Sequence, residues 1–111
     1  MTFEESCEIV RQFRRDRDWD QFHTPKDLAI SISLEAAELL EHFQWTRGDV
    51  EGDGKRDEML EELADIMVYC IHLADRLGAD IPDVIAAKMA KNAEKYPVEK
   101  SRGSAAKYDE L

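Results

Sequence analysis

No stretch of the 111 residues approaches the roughly 18 uninterrupted apolar residues that a membrane-spanning helix needs. Cysteine is scarce. Cys7 and Cys70 both sit inside apolar helical patterns, which fits two buried thiols in a reduced compartment better than a disulfide or a zinc site. Five glycines and three prolines leave little room for long loops or low-complexity linkers, and no internal repeat is found. Positive charge is short as well: 15 Lys and Arg stand against 25 Asp and Glu, a net charge of -10. That excess disfavours a protein that grips nucleic acid by phosphate neutralisation or docks on an anionic membrane surface. It leaves open a single phosphate-bearing ligand if cations intervene. The first residues, Met-Thr-Phe-Glu-Glu, lack the basic and apolar regions of a secretory leader, so a cytoplasmic location is expected.

What is present reads as helix. Hydrophobic residues make up 43%, enough for a packed core and too many for an acidic disordered tail. Thr2-Phe3-Glu4-Glu5 is a capping box, followed by Phe3, Cys7, Val10 and Phe13 at helical spacing. A connection carrying Trp19, Phe22 and His23 leads to Thr24-Pro25-Lys26-Asp27, an N-cap, a first-turn proline and a dipole-complementing acid. This second helix is expected to run to about Phe43 or Trp45. The loop with Gly48, Gly52 and Gly54 lacks a phosphate-loop pattern and reads as a turn. A third helix spans roughly Lys55 to Leu77, ended by Gly78. Asp80 caps a fourth that stops by Tyr96-Pro97, and residues 98–111 form a polar tail. The expectation is one all-α domain over residues 1–111.

On a helical wheel the second helix has two apolar arcs, Leu28-Ile32-Ala36-Leu39-Leu40-Phe43 and Ile30-Leu34-Ala37. Between them runs a narrow polar stripe of Ser31, Glu35, Glu38 and His42. Carboxylates facing bulk water need no second apolar arc beyond them, so this stripe is expected to face something else. The third helix carries apolar residues over about half its circumference, which suggests a self-association surface. One edge of that arc holds Glu58, Glu62, Asp65, Tyr69 and Arg76. Glu35-x-x-Glu38 and Glu62-x-x-Asp65 therefore lie on consecutive helices joined by a short loop. Facing one another, they would bring four carboxylates within a few ångströms. Two such charges 5 Å apart repel by roughly 3 kcal/mol at an effective dielectric of 20. Hard oxygen donors of this kind suit Mg²⁺ or Mn²⁺ with room left for a phosphate. On the fourth helix, Lys88, Asn92 and Lys95 share a face and could grip phosphate oxygens.

Plainer readings exist for each feature. A Glu-x-x-Glu pair is usually a solvated face, His42 and His72 read as helix-surface histidines, and Trp45 could simply pack at the end of helix two. An acidic helical interaction module without catalysis remains an alternative. A di-iron bundle is a weaker one, because those sites want Glu-x-x-His and neither His42 nor His72 has that spacing from the glutamates.

At these residues the chain resembles the MazG-like, all-α nucleoside triphosphate pyrophosphohydrolases, whose hallmark is Glu-x-x-Glu, a spacer, then Glu-x-x-Asp. Within that family it is most similar to the dCTP pyrophosphatase branch. The supporting stretches are Arg17 to His23, Glu38 to Trp45, Lys88 through Asn92 to Pro97, and Arg102-Gly103-Ser104 with Lys107-Tyr108. One departure is Asp27, where that branch has Asn. The resemblance implies a four-helix fold completed by homo-oligomerisation, as dimer or dimer-built tetramer, with sites completed across subunits. It implies Mg²⁺-dependent hydrolysis between the α- and β-phosphates of a nucleoside triphosphate. Glu35, Glu38, Glu62 and Asp65 would hold the metal. Trp19 and Trp45 would wall the base, and His23 would contact the nucleoside. Tyr69, Lys88, Asn92 and Lys95 would contact sugar or phosphates. Glu38 would take a proton from the attacking water.

Overall fold

The computed structural model describes residues 1–111 and contains helices and no strand. In chain order these are α1 (Phe3–Asp16), a 3-10 turn (Asp20–Phe22), α2 (Pro25–Glu41), α3 (Arg56–Arg76), α4 (Ile81–Lys95), α5 (Val98–Ser101) and a last 3-10 turn (Tyr108–Glu110). The expected all-α class is thus observed. None of the helices is long and apolar enough to cross a membrane.

The starts follow from the side chains that cap them. Thr2 Oγ1 accepts the Glu5 N–H at 3.1 Å while the Glu5 carboxylate accepts the Thr2 N–H at 3.3 Å, the reciprocal pair expected of a capping box. Thr24 Oγ1 accepts the Asp27 N–H at 3.1 Å, and its hydroxyl donates to the Asp27 carboxylate at 3.0 Å. Asp80 accepts the Asp83 N–H at 3.3 Å at the head of α4. One boundary differs from the sequence expectation. α2 stops at Glu41 and the chain turns through residues 42–45, because His42 and Phe43 donate to carbonyls only three residues back. Within the polar tail Val98–Ser101 is helical, and the Tyr96 and Tyr108 rings meet edge to face at 6.1 Å.

The α2–α3 loop is a built turn. The Asp49 carboxylate accepts the N–H groups of Glu51 at 3.2 Å and Asp53 at 3.0 Å. Gly52 is buried at φ +66°, and a Cβ there would lie 3.0 Å from the Phe43 ring and 3.3 Å from Met59. Glycine is therefore required twice over, for its conformation and for its lack of bulk.

The chain divides into two compact units, Met1–Gly78 and Ala79–Leu111. In the first, α2 packs along α3 and α1 packs on α3. Its fully buried apolar side chains are only Cys7, Leu28 and Ile71. Cys70 is partly buried, not enclosed as its apolar setting suggested. Ile30 (46% exposed) and Leu34 (61%) of the second apolar arc of α2 stand in the open, and Ala37 is exposed as well. The second apolar arc of α2 therefore has no cover within this unit. With so thin a core each member counts. Leu28→Ala is expected to lower stability by about 3 kcal/mol, the usual effect of emptying a closed leucine site. Urea denaturation measures it, and a change under about 1 kcal/mol would mean the site collapses around the gap.

Candidate active site

The antiparallel pairing of α2 and α3 brings the two acidic pairs together. Glu35, Glu62 and Asp65 each offer a carboxylate oxygen within 4.8 Å of the others. Glu38 is exposed and reaches both Glu35 and Glu62. Glu35 Oε2 and Glu62 Oε2 are buried with no hydrogen-bond partner. Burial, contact with Glu38 and the charges of Asp65 and Glu62 push the Glu35 carboxyl up to about 7. Glu62 is raised too, chiefly by contact with Glu38 and by burial, with His42 acting in the opposite sense. Buried orphan carboxylate oxygens crowded by like charge are compatible with a divalent-cation site. The donor set fits such an ion without identifying it.

His42 is not the surface histidine expected from sequence. Its Nε2 lies 3.5 Å from Glu62 Oε1, with both side chains about four-fifths buried.

Next to the cluster is a cavity of about 500 Å³ lined by Ile9, Val10, Phe13, Trp19, Val68 and other side chains. His23, Tyr69 and His72 complete the aromatic part of the wall, and Glu35 and Asp65 line it too. Three predicted site residues, Trp19, His23 and Tyr69, thus converge on the predicted carboxylates. Trp19 is held by an edge-to-face contact with Phe13 at 5.7 Å. His23 stacks obliquely on His72 with ring centroids 4.5 Å apart, and its buried Nδ1 has no partner. Burial, then the Arg14 charge, holds the His23 ring below the ordinary histidine range.

Trp45 is elsewhere. Trp19 precedes α2 and Trp45 follows it, and the 17 residues between their ends set them about 25 Å apart along the axis. Nor does Trp45 pack at the end of α2: it is 86% exposed with φ +69°, a left-handed conformation that a bulky residue adopts only under strain. Lys88, Asn92 and Lys95 lie along α4 in the second unit, where the Lys95 ammonium sits 4.8 Å from the centroid of the Tyr108 ring.

One group of residues was not anticipated. Arg14 is 8% exposed and His72 4%, so His72 too is no surface residue. Arg14 Nη1 donates to His72 Nδ1 at 3.1 Å and to Asp75 Oδ2 at 3.0 Å. Arg14 Nε lies 2.8 Å from Asp20 Oδ1, an ion pair off the hydrogen-bonding direction. Arg11 grips the other side of Asp75, with Nε 3.0 Å from Oδ2 and Nη2 3.0 Å from Oδ1. Burial, the neighbouring His23 and the Arg14 charge push the His72 ring down to about 4. The hydrogen bonds of Arg11 and Arg14 outweigh burial and hold Asp75 below the usual carboxylate range. The sequence did contain a sign of His72: it continues the stripe Glu62, Asp65, Tyr69 by one more helical step.

The MazG-like family model matches residues 30–111. dCTP pyrophosphatase 1 of Bos taurus is 39% identical over 99% of this chain and 68% of its own length. The Homo sapiens protein of the same name is 37% identical over the same shares. Among solved structures, a pyrophosphatase from Archaeoglobus fulgidus DSM 4304 superposes with a TM-score of 0.79 at 45% identity, covering 85% of this chain and 91% of that one. The chain belongs to the MazG-like family.

Proposed function

We propose that this protein hydrolyses a nucleoside triphosphate, dCTP or a related pyrimidine deoxynucleotide, to the monophosphate and pyrophosphate, as a house-cleaning enzyme of the cytoplasmic nucleotide pool. One observation carries the reading: Glu35 and Asp65 belong both to the carboxylate cluster and to the wall of the aromatic cavity. A base and sugar seated in that cavity would have their phosphates within reach of the carboxylate cluster. The names of the bovine and human relatives supply the dCTP preference and the release of pyrophosphate.

Mg²⁺, with Mn²⁺ as the alternative, suits Glu35, Glu38, Glu62 and Asp65, and when bound supplies charge neutralisation at the phosphates and acidifies a water. Glu38, the exposed member of the set, would take a proton from the attacking water as the water's oxygen bonds to the α-phosphorus and the bond to the bridging oxygen breaks, releasing pyrophosphate. Trp19 stacks on the base and His23 contacts the nucleoside. Tyr69 meets the sugar, while Lys88, Asn92 and Lys95 serve the phosphates. Residues 1–111 act as one MazG-like domain. The uncovered apolar arc of α2 and the strained, displayed Trp45 both support assembly as a homodimer or homotetramer, with Trp45 walling the site of a partner copy. Neither nucleic acid nor membrane is a partner.

Steady-state kinetics on the four dNTPs in millimolar Mg²⁺ tests this. Turnover should be fastest with dCTP, and Trp19→Ala should raise its KM by about tenfold, the worth of one base–aromatic stack. Absence of turnover on every nucleotide, or a KM unmoved by Trp19→Ala, would contradict it.

A further inference from the structure

We infer that His72 is a specificity-determining residue of this site, locked by Arg14 as its Nε2–H tautomer so that it offers the base a hydrogen-bond donor and never an acceptor. The inference deepens the nucleotide-hydrolase reading and rests on it.

The lock follows from hydrogen-bond inventory. A guanidinium has five N–H donors and no acceptor, and it keeps its charge at any working pH. Arg14 Nη1 lies 3.1 Å from His72 Nδ1, so Nδ1 must be the acceptor and the ring proton must reside on Nε2. Arg14 is not free to turn away. Asp75 holds the same Nη1 at 3.0 Å, and Asp20 holds Nε at 2.8 Å. Asp75 is fixed in turn by Arg11. The imidazole itself is 4% exposed and flanked by the His23 ring at 4.5 Å and the Tyr69 ring at 6.0 Å. A second proton on the ring would set an N–H against an N–H beside a fixed positive charge, so the ring stays neutral.

His72 belongs to the wall of the aromatic cavity. An ordinary neutral histidine can exchange tautomers and accept or donate as the ligand requires. This one cannot. A carbonyl oxygen or a bare ring nitrogen on the base satisfies it, as the acceptor edge of a pyrimidine does. An exocyclic amine brought to the same place would face donor with donor and leave both unpaired, which is a strong basis for rejection.

Long-range proton–nitrogen correlation spectra of the ligand-free protein read the tautomer directly. The expected result is a protonated Nε2 and a bare Nδ1 on His72; a protonated Nδ1 overturns the inference. Addition of deoxycytidine monophosphate should then move the His72 Nε2–H signal together with the Trp19 indole. Movement of Trp19 alone overturns it. In kinetics, His72→Leu should raise the KM for the preferred dNTP about tenfold, the worth of one neutral hydrogen bond. The saturating rate should stay within about twofold. His72→Gln keeps an N–H near the place of Nε2 and should recover most of the lost affinity. Equal defects in the two variants, or a fall in kcat at constant KM, overturn it. A wild-type protein that turns over no dNTP sinks the hydrolase reading instead, and is told apart because the tautomer is measured without substrate.

Discussion

Glu35→Gln should abolish dCTP hydrolysis and, in the same protein, raise the melting temperature measured in EDTA. The two effects have one cause. Glu35 is partly buried among Glu38, Glu62 and Asp65, and its carboxyl is pushed up to about 7. Above that pH the metal-free fold carries a charge that burial and three neighbours oppose. Gln has the same shape without the charge, so the fold is relieved of it. The same substitution removes a hard ligand from the proposed cation site and weakens stabilisation worth several kcal/mol at the phosphates, so turnover should fall by about 10³-fold. Circular-dichroism melts at pH 8 and initial rates in millimolar Mg²⁺ measure the pair. An inactive variant with a lowered Tm would mean that Glu35 supports the fold and not a metal. An active variant would remove it from the site.

The second large effect is the interplay of pH and Mg²⁺. His72 titrates near 4 in the fold, well below its unfolded range, so the unfolded chain binds a proton that the fold excludes and stability falls as pH drops through that interval. His23, also depressed, adds to this acid limb. Asp75 extends it, since its favourable pairing is lost as pH falls through its lowered folded value. Glu35 has the opposite sign. Its folded value near 7 lies above the unfolded one, so its contribution is lost as pH rises through 7, and the raised Glu62 acts in the same direction. The metal-free protein is therefore expected to be most stable at mildly acid pH and to weaken as pH rises through 7. Millimolar Mg²⁺ should remove the alkaline decline and raise stability by about 2.7 kcal/mol at a hundredfold excess over its Kd. Urea titrations across pH, in EDTA and in Mg²⁺, separate the limbs. Identical profiles in the two buffers would favour the acidic interaction module over the enzyme.

The acidic half of the site was readable from spacing alone. Three residues along a helix is one turn, so Glu35 with Glu38 and Glu62 with Asp65 had to share faces, and a short loop had to set those faces side by side. Caps at Thr2, Thr24 and Asp80 were readable for the same local reason. The Arg14–His72–Asp75 group was not, because it is made by packing α1 on α3 between residues about sixty positions apart. A buried arginine in a short helix rich in charge looks like any solvated one until its partners are placed. Trp45 shows the converse. Its residue type pointed to a role in binding, yet the fold sets it beyond the far end of α2 from the Trp19 cavity, on strained backbone and exposed.

Phosphorus NMR of the products formed from dCTP and Mg²⁺ tests the proposed chemistry most directly. Cleavage between the α- and β-phosphates gives deoxycytidine monophosphate and pyrophosphate in equal amounts, the predicted result. Deoxycytidine diphosphate with orthophosphate, or an unchanged triphosphate spectrum, would contradict it.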